Sequence, residues 1–151
     1  MPKAIPDGYH TLTPYLALTD AAKAIEFYKA ALGATELYRL PMAGGKVGHA
    51  ELQIGNSRLM VSDAMPDWGN RSAKDYGGTP VGLCIYSENV DALAERFLKA
   101  GGKQVRPLEN QFYGDRSGQF EDPEGYKWTL MQHIEDVSPE EMQKRMAKMG
   151  M

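Results

Sequence analysis

Two polar side chains on one predicted strand offer the clearest chemistry in the sequence. His49 and Glu51 lie two positions apart in the segment from Val47 to Ile54. Alternation along a strand places them on one face and leaves the apolar residues of the segment on the other. An imidazole beside a carboxylate can act as a base with an orienting acid. We therefore take Glu51 and His49 as the candidate catalytic residues.

The pair has two other interpretations. Both side chains could be ligands of an unusual metal site, which His10 or His133 would complete. They could also form a salt-linked polar pair that stabilises a half-exposed strand face, with Arg116 as a further partner. Ionisable pairs mark functional sites in some proteins and structural networks in others. The sequence leaves these alternatives open.

A second group of residues could contact a small molecule. Arg116 offers a bidentate fork for a carboxylate or phosphonate, although it could instead pair with a carboxylate across a dimer. Trp68 lies in a long polar loop and could stack on a planar ligand or seal a subunit contact. The predicted substrate-binding residues are Thr13, Tyr15, Met60, Trp68, Tyr113, Arg116 and Thr129.

Composition excludes several classes of function. The chain has 151 residues and a formal net charge of −3, which argues against a general nucleic-acid surface. Its one cysteine, Cys84, rules out an intrachain disulfide and a zinc site built on several thiolates. No apolar run is long enough to span a bilayer, and no signal peptide is visible. We expect a cytoplasmic protein with no nucleic-acid or membrane partner.

The elements that position these residues form a repeating pattern. Hydrophobic periodicity and turn residues predict the helices Ala21–Leu32, Val90–Lys99 and 138–148. The predicted strands are 11–18, 35–40, 47–54, 58–62, 81–86, 104–107, 118–121 and 126–132. Met42 to Gly45 is a predicted hairpin turn, and 63–78 is a long loop.

The order βαβββ occurs twice, which indicates an internal repeat. We predict an α+β fold in a single domain, 1–151, with modules at about residues 10–63 and 79–132 and a C-terminal helix at about 138–148. Each helix would cover the outer face of its sheet. The two modules, related by a pseudo-two-fold axis, would then place two curved sheets facing one another around a cleft.

Four stretches carry a family resemblance, and together they extend over most of residues 10–132. They are AIEFY at 24–28, GHAEL at 48–52, QFYGDRSG at 111–118 and EDPEGYKW at 121–128. The chain resembles the vicinal-oxygen-chelate superfamily, which includes glyoxalase I, bleomycin-resistance proteins and extradiol dioxygenases. The motifs are similar to those of its PhnB-like branch. The resemblance implies the glyoxalase-like fold and pairing of modules within or between chains, and we expect a homodimer.

The resemblance also implies where a metal would bind. Metalloenzymes of the superfamily place His, Glu or Gln on the first and fourth strands of each module. The matching positions here are Thr13, Met60, Gly82 and Thr129. None is a good ligand for a divalent metal. We therefore predict no cofactor, although a divalent metal at a non-standard site stays open.

Two functional hypotheses follow. The first is a metal-free protein of the bleomycin-resistance type that binds a small organic molecule in the cleft between the sheets. The alternative is a glyoxalase-like lyase or isomerase. In that enzyme Glu51 would act as a base on a carbon acid next to a carbonyl, and His49 or a non-standard metal would stabilise the developing enediolate.

Overall fold

The computed structural model describes all residues, 1–151, and contains two four-stranded sheets and three α-helices. The first sheet has the order β1-β4-β3-β2 and the second the order β5-β8-β7-β6. The strands are β1 (Tyr15–Leu18), β2 (Thr35–Pro41), β3 (Val47–Ile54), β4 (Ser57–Asp63), β5 (Gly82–Tyr86), β6 (Lys103–Asn110), β7 (Asp115–Glu121) and β8 (Lys127–His133). The helices are α1 (Ala21–Leu32), α2 (Val90–Lys99) and α3 (Pro139–Lys148). None of them is long and apolar enough to cross a membrane.

Local capping sets the helix boundaries. The Asp20 side chain accepts a hydrogen bond from the backbone N–H of Lys23, and α1 ends at Gly33, whose φ of 67° is left-handed. Asn89 caps α2 in the same way through the N–H of Ala92. Ser138 caps α3 through the N–H of Glu141. The helix bounds therefore agree with the sequence prediction.

The two modules confirm the α+β fold class. In each sheet the first strand runs parallel to the fourth, as β1 does to β4 and β5 to β8. The other neighbours are antiparallel. The same strand order in both halves is the structural form of the repeat in the sequence.

Within one chain, the helices occupy the space between the two sheets. Phe27 on α1 packs edge-on against Phe97 on α2, with ring centroids 5.1 Å apart. Phe97 contacts Phe120 of the second sheet, and Tyr28 contacts Trp128. These residues share one core cluster with the inner faces of both sheets. The polar faces of the sheets therefore point away from each other, and a cleft between facing sheets would need a second wall from outside the chain.

Buried carboxylates join the modules. Asp122, which is buried, accepts hydrogen bonds from the Tyr28 hydroxyl at 2.7 Å and from Trp128 Nε1 at 2.9 Å. Burial raises the pKa of Asp122, and these hydrogen bonds act in the opposite direction. Glu124 accepts from the N–H groups of Thr19 and Asp20 at the start of α1. The EDPEGYKW stretch is therefore an anchor between the modules.

Asp63 has a similar role inside the first module. Its carboxylate, also buried, accepts from the N–H of Ala21 at 2.9 Å and from the N–H of Val47 at 2.6 Å. These two bonds fix the start of α1 and the start of β3 relative to the end of β4. Because β3 carries His49 and Glu51, Asp63 helps to position the candidate site.

Three strands differ from the sequence prediction by more than one residue at an end. β7 begins at Asp115 instead of Gly118. The residues before Gly118 lack the alternation of apolar side chains that predicts a strand, but they pair with β8 and so extend β7. β6 extends from Lys103 to Asn110 with irregular pairing around Pro107, which cannot donate a ladder hydrogen bond. β1 begins at Tyr15, so Thr13 lies just before the strand.

Candidate functional site

The candidate site is the exposed face of the first sheet. Along β3, Ala50 and Leu52 are buried in the core, and His49 and Glu51 occupy the alternate positions on the other face. Backbone pairing brings Tyr15 opposite Met60, Met60 opposite Glu51, and Glu51 opposite Tyr38. A continuous row of side chains therefore crosses all four strands.

A chain of hydrogen bonds links Tyr15, His49 and Glu51 on this face. The Tyr15 hydroxyl lies 3.0 Å from His49 Nδ1. His49 Nε2 lies 3.2 Å from Glu51 Oε2. An ionised carboxylate can only accept, so Nε2 of the neutral imidazole carries the proton and Nδ1 accepts from the Tyr15 hydroxyl. Glu51 therefore fixes the tautomer of His49.

Two tyrosines flank the imidazole. The ring centroid of His49 lies 5.5 Å from that of Tyr15 and 6.4 Å from that of Tyr38. Tyr15 and Tyr38 are 47% and 50% exposed, whereas the side chains of His49 and Glu51 are 25% and 24% exposed. The face thus combines aromatic surface with a half-buried polar centre, which suits a small organic ligand.

The arrangement can bind a polar group and can move a proton. Glu51 Oε1 makes no hydrogen bond within the chain and is free to accept from a ligand. The Tyr15 hydroxyl oxygen retains acceptor capacity beyond its bond to His49. The hydrogen bonds run from Tyr15 through His49 to Glu51, so a proton that the Tyr15 oxygen takes from a ligand can be passed on: the hydroxyl proton moves to Nδ1 as the Nε2 proton moves to Glu51.

The structure brings Tyr15, Met60, His49 and Glu51 together, but it separates the other predicted residues. Thr13 lines a different cavity, which lies between the two modules. Trp68 is 79% exposed on a short 3-10 turn. Thr129 pairs with Cys84 on the second sheet, and Tyr113 donates or accepts a hydrogen bond with Ser117 there.

Arg116 is occupied elsewhere. Its guanidinium makes a bidentate contact with Asp91 of α2, at 2.8 and 3.0 Å, and a third hydrogen bond to Asn110. Asp91 raises the pKa of Arg116, and Arg116 lowers the pKa of Asp91. One interpretation of the sequence was that Arg116 pairs with a carboxylate across a dimer. In the structure the carboxylate that pairs with Arg116 is Asp91 of the same chain. Arg116 is therefore not placed beside His49 or Glu51.

A second polar cluster, which was not predicted from the sequence, lies on the other sheet. Asp115 Oδ1 lies 2.8 Å from His133 Nδ1, and Asp115 Oδ2 accepts from the Tyr86 hydroxyl at 3.2 Å. His133 Nε2 lies 2.7 Å from Asp136. Hydrogen bonds to Asp136 and Asp115 raise the pKa of His133. Counting outward from the Asp122 turn would have paired Asp115 with His133, since they face each other in the β7–β8 hairpin.

The chain does not offer a conventional metal site. No group of three His, Cys, Asp or Glu side chains is placed to hold a metal ion. His10 contacts the carbonyl oxygen of Asn56, and His133 lies in the other module, so neither adds to the His49–Glu51 pair. The positions that match the metal ligands of the superfamily offer only two hydroxyls, a thioether and a bare backbone; they are Thr13, Met60, Gly82 and Thr129. These donors do not fit a divalent cation.

Comparison with known proteins gives one family. The sequence model described as Glyoxalase/Bleomycin resistance protein/Dioxygenase superfamily matches residues 10–130. The Mycobacterium tuberculosis protein Rv0887c is 41% identical over 142 residues, which cover 92% of this chain and 84% of that protein.

Solved structures have the same fold. PA1353 from Pseudomonas aeruginosa aligns with a TM-score of 0.66 and 27% identity, over 83% of this chain and 99% of that chain. TnmS3, an antibiotic binding protein from Streptomyces sp. CB03234, aligns with a TM-score of 0.64 and 24% identity, over 87% of this chain and 98% of that chain.

Proposed function

Because the chain belongs to the Glyoxalase/Bleomycin resistance protein/Dioxygenase superfamily, we propose that it is a PhnB-like member that binds a small organic molecule without a metal. The ligand is aromatic or amphipathic and lies on the exposed face of the first sheet. Tyr15 and Tyr38 supply the aromatic surface, and Glu51 and His49 supply the polar contacts. The fold itself hosts several chemistries, so the proposal depends on this site.

The observation that carries the proposal is the chain from Tyr15 through His49 to Glu51. It places a hydroxyl, an oriented imidazole and an unshared carboxylate oxygen on aromatic surface that is half exposed. Pockets that bind small molecules combine apolar lining with a few convergent polar groups. TnmS3 has the same fold and is an antibiotic binding protein, although at 24% identity the likeness concerns the fold.

A second copy of the chain would supply the opposite wall of the site. In one chain the helices fill the space between the sheets, so both polar faces remain open. Tyr38 and Leu40 on the first face are half exposed, and Tyr86 on the second is 64% exposed. A homodimer that pairs the first sheet of one copy with the second sheet of the other would cover these side chains. Light scattering during size-exclusion chromatography tests this by giving twice the chain mass.

The binding proposal is tested with a panel of aromatic compounds that includes bleomycin. Thermal unfolding identifies compounds that raise the Tm, because a ligand that binds the folded state stabilises it. The affinity of each hit is then compared for the wild type, Tyr15→Phe, Glu51→Gln and the control Glu95→Gln, which alters an exposed carboxylate on α2. The first two substitutions should weaken binding and the control should not. Equal affinities in all four proteins would contradict the proposal.

The alternative is a glyoxalase-like lyase or isomerase. In that case Glu51 removes a proton from a carbon acid next to a carbonyl, and the Nε2–H of His49, no longer held by an ionised carboxylate, donates to the enediolate oxygen. The free Oε1 of Glu51 favours this candidate, because a base needs an unshared oxygen. Proton NMR of dihydroxyacetone in D2O would detect enzyme-dependent exchange of the carbon-bound hydrogens. Exchange that is lost in Glu51→Gln would favour the enzyme over the binding protein.

A further inference from the structure

A cavity of about 280 Å³ lies between the modules, away from the Tyr15–His49–Glu51 chain. The end of the N-terminal arm, at Leu12, forms one side of it. Leu59 of β4 and the β5 residues Leu83 and Ile85 form others. Most of its lining is apolar, and Arg58 is the only lining residue that is permanently charged.

Arg58 has no counter-ion in the chain. Four arginines are partly buried, and Arg39, Arg116 and Arg145 each form an ion pair with a carboxylate. Arg58 forms neither an ion pair nor a hydrogen bond, and its Nε is buried without a partner. The protein has more acidic than basic residues, so the lack of a carboxylate here is a local property of the cavity.

The guanidinium is held in place by packing. Its Cζ lies 5.0 Å from the centroid of the Tyr9 ring, in a cation–π arrangement. Gly8 packs directly against the same group. Nε is enclosed and out of a ligand's reach, but the two terminal nitrogens are neither buried nor hydrogen-bonded, so they can receive an acceptor.

We propose that this cavity binds a small monocarboxylate with an apolar body. The carboxylate accepts from Arg58 in the planar, bidentate geometry that a guanidinium favours. The apolar body lies against Leu59, Leu83 and Ile85. At about 30 Å³ for each water-sized group, the volume admits roughly nine non-hydrogen atoms. The ligand class is therefore a short fatty acid or an arylacetic acid.

This site goes beyond the function proposed above. None of Tyr15, His49 and Glu51 lines the cavity, and the recognition element is a cation instead of a carboxylate–imidazole pair. The two sites can be disabled separately: Glu51→Gln should leave carboxylate binding in this cavity unchanged, and Arg58→Gln should leave the Tyr15–His49–Glu51 chain in place.

The test is a calorimetric titration with phenylacetate and with its neutral analogue phenylacetamide. The wild type and the control Arg71→Gln, which alters an exposed arginine without an ion pair, should bind phenylacetate in preference to the amide. Arg58→Gln should weaken phenylacetate binding about tenfold or more. Circular dichroism establishes that each variant is folded.

If Arg58→Gln does not fold, Arg58→Lys replaces it. The lysine keeps the positive charge but lacks the planar fork, so phenylacetate should still bind more weakly than to the wild type. Equal affinity for phenylacetate and phenylacetamide, an unchanged affinity in the Arg58 variant, or no binding of phenylacetate at millimolar concentration would each overturn the proposal.

Discussion

The Tyr15 hydroxyl reaches His49 Nδ1, at 3.0 Å, across an intervening strand. Tyr15 lies on β1 and His49 on β3, and β4 runs between them. The contact therefore depends on the order of the strands in the sheet as well as on the residues themselves. It orients the imidazole from one side, while Glu51 orients it from the other.

Tyr15→Phe should separate function from stability. The hydroxyl is on a half-exposed side chain, so its loss should change the free energy of unfolding by about 1 kcal/mol or less. The affinity for a ligand of the first sheet should fall, because His49 loses one of its two orienting partners. Urea denaturation and ligand titration measure the two effects. A large loss of stability with unchanged affinity would show that the contact is structural.

Asp122→Ala should be much more destabilising. The substitution leaves the Tyr28 hydroxyl and Trp128 Nε1 buried without an acceptor, and it removes the acceptor of the N–H groups of Glu124 and Tyr126. We expect a loss of about 3–5 kcal/mol in the free energy of unfolding. Urea denaturation measures it, with the exposed Asp67→Asn as the control. A loss as small as that of the control would contradict the role of Asp122 as an anchor.

The sequence was most informative where local chemistry determines structure. The α1 boundaries follow from the cap at Asp20 and the left-handed Gly33. Placing His49 and Glu51 on the open face required only the period of a strand. The bond from Tyr15 to His49 could not be predicted from either segment, because it depends on which strand lies between β1 and β3.

Tertiary pairing accounts for what was missed. Asp115 begins β7 because β8 offers a partner along its whole length. The location of the open faces depends on Phe27 packing against Phe97 between the sheets, a contact of residues in different modules. Arg116 was predicted to bind substrate, and its contact with Asp91 also joins residues that are distant in the sequence.

Stability should depend on pH through His133. Hydrogen bonds to Asp136 and Asp115 raise its pKa in the folded state. The charged and titratable groups around it are Asp115 on β7, Asp136 after β8 and Tyr86, which donates to Asp115. The stabilisation is complete below the unfolded pKa of about 6.5 and is lost as pH rises through the higher folded value.

The variant His133→Asn isolates this effect. The difference in the free energy of unfolding between wild type and variant should be largest in acid and should shrink as the pH rises above about 6.5. His10→Asn, which alters an exposed histidine whose Nε2 contacts only a backbone carbonyl, is the control. A difference that grows with pH would have the wrong sign and would contradict the assignment.

Arg116→Gln should not affect ligand binding on the first sheet. Its guanidinium is committed to Asp91 and Asn110 and is partly exposed, so the substitution should have only a small effect on stability. Affinity measurements on the hits from the compound panel provide the check. A strong loss of affinity would show that Arg116 reaches the ligand, either after leaving Asp91 or from a second copy.

The central claim is that a small molecule binds on the face formed by Tyr15, His49 and Glu51. The most direct measurement is a series of two-dimensional ¹H–¹⁵N NMR spectra of the protein during titration with the most stabilising compound of the panel. The account predicts that the largest chemical-shift changes occur at the backbone amides of these three residues. It also predicts that these changes disappear when Glu51→Gln is titrated with the same compound. Shifts confined to the Trp68 turn or to α3, with those amides unchanged, would contradict it.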